Sequence, residues 1–208
     1  MPPAQTSGGE ATREAIIKAA FNLFVQQGYH GTSMRDIAAG AGITAGSIYN
    51  HFNDKAEIFQ SVILNYHPIV VVLPHLQQAE GQSAEDLIRD AARRMTEVIQ
   101  ANPGIIKLFA TELVEMNGKN MNYLTSAILP ITQLFMQRLY STGEVARPTH
   151  PMQFFRAFLG MLISYSVTGL IFESLPEANN FDQPMDKYIE IFLWGVLGKP
   201  PREASSAE

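Results

Sequence analysis

The chain has 208 residues, 46% of them hydrophobic and 17% charged, with a formal net charge of -5 and no cysteine. That size and apolar content exclude a disordered chain and allow a substantial buried core. The missing cysteine excludes disulfides, thiol nucleophiles and thiolate metal sites, and the acidic balance is the reverse of what nucleic-acid binders usually carry.

Taken in chain order, the start MPPAQTSGGE is polar, lacks a signal-peptide pattern and predicts a disordered arm over 1–10. Thr12 opens a helix whose Ile16, Ala20, Leu23 and Phe24 form one apolar stripe, ending at Gly28. Ser33 with Asp36 makes a variant capping box for a helix starting at Met34, with Met34, Ile37, Ala38 and Ala41 at helical spacing. Gly42 closes that helix, since glycine tolerates the left-handed conformation of a helix end. Thr44 then caps a second short helix, predicted over 45–52, which turns Ile48 and Phe52 inward. Ala45, Gly46, Ser47, Tyr49, Asn50 and His51 are left outward, a face small and polar enough for a major groove.

A longer helix follows from Lys55 through Phe59, Val62, Ile63 and Tyr66, with Asn53 as its expected cap and Pro68 expected to kink or interrupt it. Ser83 and Asp86 form another variant capping box, for a helix towards Gln100. Asn102 and Pro103 signal the next start. The stretch 120–140 reads as a helix bent or interrupted at Pro130, followed by a loop over 143–150. Helices over 152–174 and 185–197 close the fold, and the tail over 199–208 reads as disordered. The apolar run 157–172 is short and holds Gly160, Ser164, Tyr165, Ser166 and Thr168, which suits a core helix better than a membrane span. No strand pattern and no repeat of fixed period is present, so the expected fold class is all-α.

The segment from Thr12 to Ile63 resembles the amino-terminal domain of the TetR family of bacterial transcriptional regulators. Gly28, Thr32, Ala38, Ala41, Gly42, Tyr49, His51, Phe52 and Lys55 carry the likeness, each at a separately placed position. The resemblance implies a three-helix DNA-binding domain over 11–54 and a larger helical ligand-binding and dimerisation domain over 55–198. It implies that Thr44, Ala45, Gly46 and Ser47 approach base edges while Tyr49, His51 and Lys55 hold phosphates. Asn50 joins them as a residue able to read a base, and Thr32, Ser33 and Arg35 could clamp the other strand. Ala45 and Gly46 offer bases no side-chain hydrogen bond, so specificity leans on Ser47, Asn50, thymine methyl contacts or DNA shape. Between Glu10 and Gln60 the cations Arg13, Lys18, Arg35 and Lys55 are outnumbered by Glu10, Glu14, Asp36, Asp54 and Glu57, which predicts few phosphate contacts and a shallow salt dependence.

In the remaining helices two departures from a plain core are where a ligand would leave its trace. Glu112 lies on the apolar stripe Ile105, Leu108, Phe109, Met116, where a carboxylate needs a partner, and Arg94, Arg138 and Arg156 are the expected ones. An aromatic and methionine-rich lining of Tyr66, Phe109, Met116, Tyr123, Phe135, Phe158, Met161, Tyr165 and Phe172 suits an adaptable apolar pocket, and equally an ordinary core. Gly160, Ile163, Ser164 and Val167, with Ile191, Trp194 and Gly195, give small and apolar residues where helices of two subunits can meet.

The expected protein is therefore a cytoplasmic, homodimeric regulator of double-stranded DNA, most often a repressor in this family, released from a palindromic operator by a small lipophilic ligand. A DNA-bound adaptor that docks another protein is the nearer alternative, and a helical enzyme the distant one. His30, His51, His67, His75 and His150 show no paired spacing with carboxylates, so no metal is expected; no phosphate loop or nucleophile elbow occurs, so no cofactor or catalytic residue is expected either.

Overall fold

The structure, a computed structural model, describes residues 8–145, 150–172 and 184–198. Helices α1 (Gly8–Gln27), α2 (Met34–Gly40), α3 (Lys55–Tyr66), α4 (Pro68–Gln77), α5 (Ala84–Ala101), α6 (Gly104–Glu115), α7 (Asn122–Ser141), α8 (Pro151–Phe172) and α9 (Met185–Leu197) follow in order, with short 3-10 turns at Ser47–Asn50 and Lys119–Met121. The fold is all-α, and the described residues contain no strand. Two compact units form: residues 1–71 with 102–124, and 72–101 with 125–208. Their limits do not coincide with the expected domain boundary at 54/55, because α3 and α6 both pack on α1 within the first unit.

The core of the first unit follows from apolar spacing. Ile16, Ala20 and Phe24 of α1 meet Ile37 and Ala38 of α2 and Ile58, Phe59, Val62 and Ile63 of α3, all buried. Phe24 and Phe59 meet edge to face with centroids 5.0 Å apart, and Phe21 stacks on Tyr66 at 4.4 Å. Each such fully buried side chain contributes about 2 kcal/mol over its exposed state. At the start of α6, a Cβ on Gly104 would lie 3.1 Å from Phe21 and 3.5 Å from Val25, so a glycine there lets α6 approach α1 closely.

In the second unit, Ile88, Ala92 and Met95 of α5 are buried, as are Phe135 and Leu139 of α7, Phe154, Phe158 and Leu162 of α8, and Ile189 and Leu193 of α9. Four rings, Phe135, Phe154, Phe158 and Phe192, interlock with centroids 5.4 to 5.9 Å apart. Arg138 fixes the end of α4 by donating to the carbonyls of Gln77 at 3.0 Å and Ala79 at 2.5 Å. Glu144 accepts at 2.8 Å from the amide of Ala84, an unpaired donor of the first turn of α5.

Several expectations need correction. α1 starts at Gly8, so residues 8–10 are helical, and Thr12 lies inside the helix with its hydroxyl donating to the Gly8 carbonyl at 2.8 Å. Asp54, not Asn53, caps α3: its carboxylate accepts from the Glu57 amide at 2.8 Å, while Asn53 donates to the Glu57 side chain. Pro68, expected to kink or interrupt the helix, interrupts it. It holds His67 extended (φ -61, ψ 139) and starts α4 afresh, as the clash of a proline ring with the preceding residue requires. Pro103 flanks α6, which begins at Gly104. α7 continues through Pro130. Residues 1–7 of the expected arm and the tail 199–208 lie outside the described residues.

Candidate nucleic-acid interface

The reading region is built from two local devices. At the first, Ser33 and Asp36 complete the capping box: the Ser33 hydroxyl accepts from the Asp36 amide at 3.2 Å and the Asp36 carboxylate accepts from the Ser33 amide at 3.0 Å. Those bonds from Ser33 hold the Asp36 carboxyl below its ordinary value. At the second, α2 closes in a Schellman arrangement, with Ile43 donating to Ala38 at 3.0 Å and Gly42 to Ala39 at 3.1 Å. Gly42 sits at φ +71 with nothing near its missing Cβ, so backbone conformation and not space demands glycine there.

Beyond the turn, Thr44 caps the next element as its spacing suggests. Its hydroxyl accepts from the Ser47 amide at 3.2 Å and pairs with the Ser47 hydroxyl at 2.7 Å. The element is shorter than expected, a single 3-10 turn over Ser47–Asn50 in place of a helix over 45–52. Ile48 and Phe52 anchor it in the core, as their spacing requires. Thr44, Ala45, Gly46 and Asn50 are exposed, Ser47 and His51 are half-buried, and Tyr49 is 57% exposed. An apolar anchor thus carries a polar outward edge.

Two of the residues expected at the DNA backbone have partners within the fold. Lys55 donates at 2.6 Å to each of the Tyr29 and Thr32 carbonyls and lies 4.3 Å from the centroid of the Tyr29 ring. Burial pushes its ammonium below the usual lysine range, with the Glu115 carboxylate acting in the opposite sense. Thr32 is buried, its hydroxyl donating at 2.8 Å to the Gly28 carbonyl. Arg13 stays exposed while its guanidinium lies 4.5 Å over the Phe52 ring and donates to the Ser61 hydroxyl at 3.1 Å. Lys18 and Arg35 remain exposed.

Sequence reasoning missed Glu115. From the last turn of α6 its carboxylate accepts at 2.9 Å from the His30 amide, and a Cβ on Gly28 would come within 2.6 Å of it. The loop after α1 is therefore held from two sides, by Lys55 and by Glu115. No spacing rule reaches across 85 residues, so no sequence signal could have found it.

The ligand-pocket candidates divide between the units. In the first, Glu112 is fully buried, but its partner is Asn120, whose backbone and side-chain amides donate at 2.7 and 2.9 Å. None of the expected arginines serves: Arg94 pairs with Asp90 at 2.6 Å, Arg138 caps α4, and Arg156 is exposed. Tyr66 lines a surface cavity of about 410 Å³ with Ala11, Glu14 and Lys18; Phe109 and Met116 are half-buried. In the second unit, Phe135 and Phe158 belong to the four-ring core, and Met161 and Tyr165 are half-buried, Tyr165 edge-on to Tyr188 at 5.2 Å. The side chains of Tyr123 and Phe172 lie outside the described residues.

The dimer candidates share the second unit's surface. Ile191 and Trp194 are 75% and 60% exposed. Gly160 and Gly195 have no atom within 4 Å of a built Cβ. Ser164 is exposed, and Ile163 and Val167 are half-buried.

A capped helix, a glycine-closed turn and an anchored polar element in succession define a helix-turn-helix DNA-binding protein. Residues 16–62 match the profile described as bacterial regulatory proteins, tetR family. The chain is 25% identical over 201 residues to the HTH-type transcriptional regulator SrpR of Pseudomonas putida, covering 93% of this chain and 88% of that one. It is 50% identical over 52 residues to the HTH-type transcriptional repressor BepR of Brucella suis, a quarter of each chain. Among solved structures, GusR of Salmonella enterica superposes with a TM-score of 0.71 at 19% identity, covering 94% of this chain and all of that one. Residues 16–62 are thus a TetR-family DNA-binding domain, and along its length the chain is similar to an HTH-type transcriptional regulator, not to an enzyme.

Proposed function

We propose that the chain is a cytoplasmic repressor that binds a palindromic operator as a homodimer and is released by a small, largely apolar ligand. The observation that carries this reading is the polar edge Thr44, Ser47, Tyr49 and Asn50, held outward by buried Ile48 and Phe52. Such an edge can enter a major groove, with Arg35 and Ser33 beside it for the backbone.

Residues 11–54 then act as the reading domain and 55–198 as the ligand and dimer domain, with α3 as the lever between them. Homodimerisation is supported by the unpartnered apolar face of Ile191 and Trp194, beside small residues that let another helix approach. Two heads on a palindrome also double a modest electrostatic contribution. A ligand acts only through its difference in affinity for the operator-competent and incompetent spacings of those heads.

Sedimentation of the wild type and of Trp194→Glu tests the assembly on which the rest depends. The wild type should sediment as a dimer at micromolar concentration and Trp194→Glu as a folded monomer with weakened operator binding. A wild type that is monomeric both free and on DNA would contradict the proposal.

A further inference from the structure

Within the first unit one polar group is left without a partner. His67 is fully buried at the junction of α3 and α4, and its Nδ1 accepts at 3.2 Å from the Ile69 amide. That bond places the proton on Nε2, since a neutral imidazole that accepts at one nitrogen donates at the other. Nε2 is buried with no hydrogen-bond partner. Burial lowers the imidazole to about 4, so it stays neutral and keeps this arrangement at ordinary pH. A buried donor left unmade costs about 1 to 3 kcal/mol, which calls for a reason.

We infer that His67 Nε2–H is the polar anchor for the effector, and that the effector is an apolar molecule bearing a carbonyl-type oxygen acceptor, not an organic cation. This rests on the ligand-controlled reading above and gives it a ligand class. The surroundings support the choice. Phe109 meets the imidazole edge-on with centroids 5.5 Å apart and is only partly buried, so an arriving molecule meets ring surface beside a single donor. Glu112, one turn beyond Phe109, is the buried carboxylate that could have held a cation, and Asn120 already occupies it twice. Because no solvent reaches the imidazole, entry requires a neighbouring side chain to turn aside, and Phe109 is the partly exposed one.

The position also explains how binding would be felt. The α3 helix ends at His67, where Pro68 enforces a break, and begins at Lys55, which grips the Tyr29 and Thr32 carbonyls. An acceptor pulling on His67 acts on one end of the helix whose other end holds the reading domain.

Calorimetry on the full chain with three matched probes tests the inference: 2-acetylnaphthalene, 2-methylnaphthalene and 2-naphthylmethylammonium. The ketone should bind about tenfold tighter than the other two, the worth of one good hydrogen bond. His67→Phe should erase that preference with little change in melting temperature, since the unpaired donor it removes offsets the lost bond from the Ile69 amide. His67→Gln, which keeps a donor, should recover part of the preference and guards against a misfolded Phe variant. Equal binding of all three probes, or a preference that survives in His67→Phe, overturns the inference; a donor that merely holds a buried water gives that second result. Should no probe bind, the inference falls with the ligand reading, whereas a ketone preference without release from operator DNA overturns only the ligand-controlled reading.

Discussion

The Lys55 ammonium lies over the Tyr29 ring at 4.3 Å and donates to that residue's own carbonyl at 2.6 Å, tying the start of α3 to the loop that follows α1. A lysine on the reading domain of an acidic chain invites assignment to phosphate. Two of its three protons go to the Tyr29 and Thr32 carbonyls. Lys55→Met should therefore lower stability by about 2 kcal/mol, because charge-assisted bonds are lost and carbonyls are left unpaired. The salt slope of operator binding should stay unchanged. Urea melts and binding titrations at several salt concentrations check both; unaltered stability with a slope reduced by about two, one per head, would restore the phosphate role.

Glu115 and Gly28 should show coupled energetics. Gly28 sits at φ +75, and an added Cβ would collide with the Glu115 carboxylate. Gly28→Ala should cost about 2 kcal/mol from backbone strain and collision together. In a Glu115→Ala background the collision disappears and only the backbone part should remain, about 1 kcal/mol. A double-mutant cycle by denaturant unfolding reads the difference. Strict additivity would show that the two residues do not meet.

Salt dependence should be shallow. With Lys55 turned into the fold, Arg13, Lys18 and Arg35 are the exposed cations of the described reading segment. Two heads then neutralise about six phosphates, for a slope of log affinity against log salt of about -5. Titrations between low and moderate salt would measure it, and a slope twice as steep would require cations that this arrangement does not present.

His67 should leave a signature in the pH dependence of stability. Its imidazole is held at about 4 by burial, against 6.5 for the free side chain. Between those values the unfolded chain binds the extra proton, so the contribution is complete above pH 6.5 and is lost as pH falls through about 4. At pH 4.5 the loss should be about 2.5 kcal/mol. Unfolding of wild type and His67→Phe at pH 7.5 and 4.5 isolates it, because the carboxylates titrate in both. Parallel pH profiles would show that His67 titrates normally.

Local signals in the sequence were dependable where the physics is local. The Ser33–Asp36 and Ser83–Asp86 boxes, the left-handed Gly42 and the inward pair Ile48 and Phe52 all follow from contacts within a few residues. Errors arose where distant groups compete. Asp54 displaced Asn53 as cap within one turn, but Lys55 was drawn inward by carbonyls more than 20 residues away. Glu112 was correctly read as a buried carboxylate in need of a partner. Its choice of Asn120 over three arginines depends on the turn at Asn117 and Gly118, both at positive φ, which bring Asn120 back over α6. The apolar stripe of α8 could not separate core from pocket, and Phe158 proved to be core because Phe154 and Phe192 pack on it.

The central claim is that the outward edge of the Ser47–Asn50 turn reads DNA in two symmetric copies. Selection of bound fragments from a random duplex library by the purified full chain, repeated with Tyr49→Ala, tests it most directly. The account predicts an enriched palindrome for the wild type and a strongly weakened or altered site for the variant. No enriched site, or the same site bound as tightly by Tyr49→Ala, would contradict it.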